Sequence, residues 1–249
     1  AGLSAAGMIP FAHSFGPFAS RRCVDQIFIS CAYAKANVRI VGSDPGVTAA
    51  YNGGTHMPFE DMGTLMSIPR ITLVEPTDSV QLRWLLQTLE KEYGVYYIRL
   101  LRKNAVGVFE AGSQFQLGRF ARLREGTDAA VVCSGIMVGE ALKAAALLEQ
   151  EGIRIAVLNA FTWKPMDDET LAEYARSCGC VVTAENHNIL GGLGSAVANS
   201  LSRSCPVPVE MVGVEDEFGE VGTEDFLRKR FDLTAEHIVR AVRAAMARK

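Results

Sequence analysis

Long apolar runs are missing from this 249-residue chain. The longest, such as Ala129-Ala-Val-Val-Cys-Ser134, falls far short of the ~20 residues that a membrane-crossing helix needs. No secretory signal pattern opens the sequence. An excess of positive charge is missing too: 25 Lys and Arg stand against 28 Asp and Glu, a net charge of −3. Nucleic-acid binders carry a clustered basic face, so nucleic acid is not an expected partner, nor is a membrane. The six cysteines do not form metal or redox spacings. Cys178-Gly-Cys180 is C-x-C and not C-x-x-C, and scattered free cysteines act as small buried hydrophobes. They read as reduced thiols in a cytoplasmic protein. Phosphate-binding G-x-x-x-x-G-K-[ST], H-E-x-x-H, a nucleophile-elbow serine and any metal-spaced cluster are all absent. No metal ligand is therefore assigned. If the chain is an enzyme, a cofactor supplies the hard chemistry.

What is present is an apolar content of 49%, ample for a core. The length suggests one large or two ordinary domains. Strand patterns at 9–13, 38–41, 71–74 and 95–100 alternate with helical ones at 19–36, 59–66 and 78–92. Thr77 is the expected N-cap of the last, with Asp78 at its positive end. Periodicity lapses over 104–116, which reads as a linker. Strands at 129–133, 153–158, 180–184 and 209–212 then alternate with helices at 138–151, 168–177, 194–202, 224–230 and 235–248. Such alternation implies βαβ units and parallel sheets. The expected fold is two parallel or mixed-sheet α/β domains in series, over 1–110 and 118–249. The opening Ala1-Gly-Leu-Ser-Ala-Ala-Gly-Met8 reads as the tail of a helix already under way, so the first domain is expected to begin upstream.

One stretch organises the rest. Val38-Arg-Ile-Val41 breaks into a glycine-rich loop that ends at His56, with Glu60 and Asp61 opening the next helix. Loops past the carboxyl ends of parallel strands carry ligand-recognising groups, and glycines let backbone approach a ligand closely. His56 is accordingly a group delivered to a crevice. Phe15 and Phe18, between a strand and a helix, are either core residues or a stacking platform for a flat heterocycle. Arg102 follows a strand end, where its planar fork either faces solvent or holds an oxyanion. Gly191-Gly-Leu-Gly194 lacks dinucleotide spacing and reads as a tight turn with close helix packing. His187 receives no role, and His237 reads as structural.

Taken together, Ser14-Phe-Gly-Pro-Phe-Ala-Ser20, Asp44-Pro-Gly-Val-Thr48, Gly53-Gly-Thr-His56, Glu60-Asp61, Ile68-Pro-Arg-Ile-Thr-Leu-Val-Glu-Pro-Thr-Asp78 and Tyr97-Ile-Arg-Leu100 resemble the transketolase family. The likeness continues through Lys164-Pro165, Thr183-Ala-Glu-Asn-His187, Gly191-Gly-Leu-Gly-Ser195 and Asp216-Glu-Phe-Gly219. It is to the C-terminal half: a pyrimidine-binding domain, then the transketolase C-terminal domain.

The resemblance implies a thiamine-diphosphate-dependent subunit that transfers a two-carbon ketol unit between sugars. It implies work with an N-terminal diphosphate-binding subunit, as a heterotetramer or a dimer of such pairs, with Mg2+ or Ca2+ held by that partner. The glutamate that activates the cofactor falls upstream of Ala1. Phe18, with Phe15 close by, matches the aromatic stacked on the cofactor, and Arg21 stands where some members have an aromatic beside it. His56 matches a histidine at the donor oxygen, and Arg102 a phosphate-binding arginine. Asp44 replaces a phosphate-contacting histidine, and Asn52 an aspartate that reads a sugar hydroxyl. The same scaffold serves as the β subunit of 2-oxo acid dehydrogenases and in 1-deoxyxylulose-5-phosphate synthase. A non-catalytic scaffold subunit is the alternative from another class.

Overall fold

The computed structural model describes residues 1–103 and 105–249; Asn104, the first residue of the expected linker, lies outside them. The first unit supplies β1 (Phe11–Phe15), β2 (Val38–Ser43), β3 (Ile71–Val74) and β4 (Val95–Leu100). The second supplies β5 (Ala121–Arg124), β6 (Ala129–Cys133), β7 (Ile155–Asn159), β8 (Thr162–Lys164), β9 (Val181–Asn188) and β10 (Val209–Val214). These form two five-stranded sheets, ordered β1-β2-β4-β3-β8 and β10-β9-β6-β7-β5. All pairings are parallel except those of β8 with β3 and of β5 with β7. Both sheets are mixed α/β, as the strand–helix alternation implies. Strands β2, β6 and β7 are buried along their whole length, which is why they read as apolar runs and not as alternation.

The main helices are α1 (Asp61–Met66), α2 (Ser79–Leu89), α3 (Met137–Glu149), α4 (Asp168–Cys178), α5 (Leu193–Ser204), α6 (Glu224–Arg230) and α7 (Ala235–Met246). The single helix expected over 19–36 is instead a relay of short pieces. A turn at Gly16–Ala19 gives way to 3-10 geometry at Arg21–Cys23, a turn at Val24–Gln26 and a π-helix at Ile27–Tyr33. Ser20 leaves helical φ/ψ, and its hydroxyl donates back to the Gly16 carbonyl (2.7 Å), breaking the run. The cap of α2 also differs from expectation. Asp78, not Thr77, accepts from the Val80 and Gln81 amides, at 3.1 and 2.9 Å.

The two units share a sheet across the expected linker. β8, from the second unit, extends the first unit's sheet, pairing Val74 with Thr162 and Leu73 with Lys164. Trp163 is buried in one cluster with Ile71, Leu73, Tyr97, Leu171 and Leu193. Lys164 Nζ donates to the Met66 and Ile68 carbonyls (2.7 and 2.6 Å), placing a cation at the C-terminus of α1. The carboxyl edges of the two sheets therefore meet. All six cysteines are free thiols, and burial holds the Cys133 thiol well above its ordinary pKa. No helix among the described residues is long and apolar enough to cross a membrane.

Candidate functional site

Because β1, β2, β4 and β3 run parallel, their last residues share one edge, where α/β proteins open a ligand crevice. Phe15 ends β1, Asp44 follows β2, Glu75 follows β3 and Arg102 follows β4. The loop after β2 returns His56 to the same place. Its ring lies 5.0 Å, centroid to centroid, from both Phe15 and Phe18, edge-on to each. Phe15 and Phe18 are 6.2 Å apart. Phe15, Phe18 and His56 thus pack as one edge-to-face cluster at that strand edge, and all three residues are only partly buried. The Arg22 guanidinium lies 3.8 Å above the Phe18 ring. That face is covered by a flat, delocalised cation, whose place a stacked planar heterocycle would have to take.

Thr55 Oγ1 is 2.9 Å from His56 Nδ1, so Nε2 is the nitrogen left to face the cleft. Asp44 is 1% exposed. Its Oδ2 accepts from the Ser43 hydroxyl and its Oδ1 from Arg102 Nε, both at 3.0 Å. The Arg102 side chain is 55% exposed and passes 5.4 Å from the Phe15 ring centre. Asp44 has φ of +58°, in the left-handed region that aspartate tolerates better than most residues. Arg21 forms an ion pair with Glu60 (2.5 Å) and lies 3.5 Å from the Thr55 carbonyl. It braces the His56 loop. Asn52 is exposed at the end of a 3-10 segment, Gly46–Asn52. Phe15, Phe18, His56, Asp44 and Arg102 therefore gather at one strand edge, with Arg21 bound to the His56 loop and Asn52 exposed at the end of its 3-10 segment.

A large buried charged network joins the loops behind these residues. Arg99 is fully buried. Its Nε donates to both Asp61 oxygens (3.0 Å each) and Nη1 to Glu75 (2.8 Å). Nη2 donates to the carbonyls of Pro58 (3.1 Å) and Asn186 (2.9 Å). Tyr97 Oη donates to Asp61 (2.7 Å) and Ser134 Oγ to Glu75 (2.6 Å). Every guanidinium nitrogen has a partner, which is what keeps a buried charge tolerable. Although burial alone opposes its charge, the Asp61 and Glu75 carboxylates hold the Arg99 pKa above its ordinary value.

His187 and Glu185 complete this layer. Burial and the Arg99 charge depress His187 to about 4. The neutral ring accepts from the Gly63 amide at Nε2 (3.3 Å), and Nδ1 donates to the Asn188 carbonyl (2.7 Å). Burial pushes the Glu185 carboxyl up to about 8, against the opposing pull of the Leu193 and Gly194 amides at the start of α5. The turn before α5 packs as its glycines imply: a Cβ on Gly192 would collide with Glu185 Oε2. Asn186 clamps the loop after β2. Its Nδ2 donates to the Pro45 carbonyl (2.8 Å) and its Oδ1 accepts from the Val47 amide (3.0 Å). Gly46, between them, has φ of +48°, and any Cβ there would strike Asn186 Oδ1. Among the described residues no group of three or more His, Cys, Asp or Glu could hold a metal ion.

Comparison with known proteins supplies the family. The chain matches the transketolase pyrimidine-binding domain over residues 1–106 and the transketolase C-terminal domain over residues 118–238. It is 51% identical to a 6-deoxy-6-sulfo-D-fructose transketolase subunit of Clostridium sp. (strain MSTE9), over its whole length and 77% of that protein. It is 34% identical to an apulose-4-phosphate transketolase subunit of Phocaeicola vulgatus, over 87% of this chain and 70% of that one. A solved split-gene transketolase, described as an inactive beta4 tetramer, superposes with a TM-score of 0.93 at 41% identity, covering all of this chain and 80% of that one. Two domain matches, two subunit relatives and a near-complete superposition agree: this chain belongs to the transketolase family.

Proposed function

We propose that the chain is the pyrimidine-binding subunit of a split transketolase, moving a two-carbon ketol unit from a ketose to an aldose in company with a diphosphate-binding partner subunit. The observation that carries this reading is the convergence of Phe15, Phe18 and His56 on one open strand edge. Thiamine diphosphate, when bound, would supply the electron sink for the electron pair left on the former carbonyl carbon when the ketose carbon–carbon bond breaks.

The chain's own residues then have distinct tasks. Phe18, flanked by Phe15, offers an aromatic face to the cofactor's flat ring. His56 turns Nε2 to the ketose oxygen, because Thr55 occupies Nδ1; holding that oxygen fixes the ketol unit for bond cleavage. Arg102 reaches the far end of the sugar with a planar fork of donors. Asn52, at the rim, offers an amide to a sugar hydroxyl. Arg21 holds the His56 loop through Glu60 and the Thr55 carbonyl. The buried Arg99 network keeps the loop ends in register under the cleft. The expected divalent cation sits with the partner's diphosphate site. The subunit names of the relatives, and an inactive beta4 tetramer among them, favour activity only in the mixed assembly, inside the cell.

The test is ketol transfer by the purified chain mixed with its diphosphate-binding partner, with and without thiamine diphosphate. Transfer should need all three components. Phe18→Ala should weaken cofactor binding, with stacking alone worth about 0.5–1.5 kcal/mol beyond burial. His56→Ala should lower kcat by about a hundredfold or more. Transfer that persists without cofactor, or turnover of a 2-oxo acid in place of a ketose, rejects the reading.

A further inference from the structure

The Asp44–Arg102 pair makes a further inference possible, one that rests on the ketol-transfer reading for its substrate class but not for its test. Asp44 is nearly sealed from water, takes the Ser43 hydroxyl on one oxygen and binds Arg102 through Nε on the other. Nε is the inner nitrogen of the guanidinium, so the bond steers the side chain without using its two terminal NH2 groups. The Arg102 side chain is more than half exposed and lies beside Phe15 at the cleft. The loop that carries Asp44 is itself fixed by Asn186, through the Pro45 carbonyl and the Val47 amide. A fixed negative charge therefore stands directly behind the group that would grip an anionic sugar. Two nearby cations are also paired, Arg21 with Glu60 and Lys103 with Glu224, whereas Arg22 lies over the Phe18 ring.

We propose that Asp44 determines specificity: it holds Arg102 for a ketose whose far end bears a single negative charge, a sulfonate, and disfavours one that ends in phosphate. The two groups present similar trios of oxygens, so shape alone separates them poorly. Charge separates them well. A sulfonate carries one charge at any ordinary pH, whereas a phosphate monoester carries about 1.5 to 2 above its second pKa of about 6. Like charge repels most where water is excluded, as it is around Asp44. The arginine fork still rewards an anion over a plain hydroxyl.

Three fructoses that differ only at the far carbon, bearing sulfonate, phosphate or hydroxyl, provide the experiment. Their binding to the assembled complex is measured by calorimetry with thiamine diphosphate left out, and kcat/KM is measured with it present. The sulfonate sugar should bind about tenfold more tightly than the phosphate sugar near pH 7.5, and the gap should narrow near pH 6 as phosphate gains a proton. Asp44→Asn keeps an oxygen for Arg102 Nε and should erase the gap by improving phosphate binding. Arg102→Gln should weaken both anionic sugars and leave fructose unchanged. Phosphate bound as tightly as sulfonate by the unaltered protein, or an Asp44→Asn variant that shifts all three sugars equally, overturns the proposal. Tight sulfonate binding without any ketol transfer would instead reject the transferase reading and leave the role of Asp44 standing.

Discussion

At the scale of single residues, the site depends on side chains that never face the cleft. Asn186 is 1% exposed and spends both ends of its amide on the backbone of the Asp44 loop. Removing it strands the buried Val47 amide, at about 1–3 kcal/mol if nothing replaces the bond, while the Pro45 carbonyl keeps the Thr48 amide and hydroxyl. Asn186→Ala should therefore lower the urea midpoint without changing the m-value. Asn186→Asp should do as badly: it keeps the acceptor for Val47 but sets a carboxylate oxygen against the Pro45 carbonyl. Equal stability of Asn186→Asp and the unaltered chain would mean that the clamp is dispensable.

At the scale of elements, Asp78 joins two jobs. One oxygen caps α2, and the other accepts the Val108 and Phe109 amides at 2.9 Å each. The cap explains the helix start, and the second oxygen ties down the connecting segment that follows β4. Asp78→Ala should cost more than the ~1 kcal/mol typical of a lone N-cap, and should speed proteolysis between residues 105 and 116. Cleavage unchanged by the substitution would confine Asp78 to capping.

These elements also show what sequence can and cannot convey. The strand–helix alternation is written in apolar periodicity, and the placement of Phe15, His56 and Arg102 follows from their positions just beyond strand ends. Nothing local marks β5, whose Ala121-Arg-Leu-Arg124 is half charged, or the three-residue β8. Both depend on partners distant in the chain. The π-helical relay at 24–33 keeps apolar spacing close to that of an ordinary helix, so only Ser20 distinguishes it. Arg99, Asp61 and His187 look like surface residues in one dimension, because pairing between two sheets is invisible until the sheets are apposed. The partner of Arg21 is hidden for the same reason: Glu60 lies 39 residues away.

At the scale of the whole molecule, the apposition of the two sheets has a titration signature. Glu185 has its pKa raised by burial from 4.5 to about 8, so the folded protein keeps a proton that the unfolded chain releases. That contribution is fully present below about 4.5 and is lost as pH rises towards 8. His187 acts in the opposite sense. Its pKa falls from 6.5 to about 4, so stability from this group grows as pH rises from 4 to 6.5. The two offset each other up to about pH 6.5, and Glu185 alone governs the interval from there to 8. Denaturant midpoints should hold roughly level and then fall across that interval, and Glu185→Gln should remove the fall. A midpoint that stays level between 6.5 and 8 would assign the carboxyl an ordinary pKa.

The same apposition decides whether the two units can live apart. A fragment of residues 1–110 would keep β1 to β4 but lose β8, and with it the last strand of its sheet. It would also lose Trp163, which is 1% exposed against Ile71 and Leu73, and the Lys164 ammonium at the end of α1. Arg99 would lose the Asn186 carbonyl, and Glu75 the Ser134 hydroxyl. That leaves two carboxylates and a guanidinium, formerly sealed between sheets, facing water on one side. Burying a Trp side chain is worth about 3–5 kcal/mol by its loss to alanine, which is a large part of the roughly 5–15 kcal/mol that holds a domain folded. The fragment should therefore show no cooperative thermal transition by circular dichroism, whereas one supplied with residues 155–178 in trans should regain part of it. A sharp, reversible transition in the 1–110 fragment alone would show that the pyrimidine-binding unit is self-sufficient and that β8 is an ornament of its sheet.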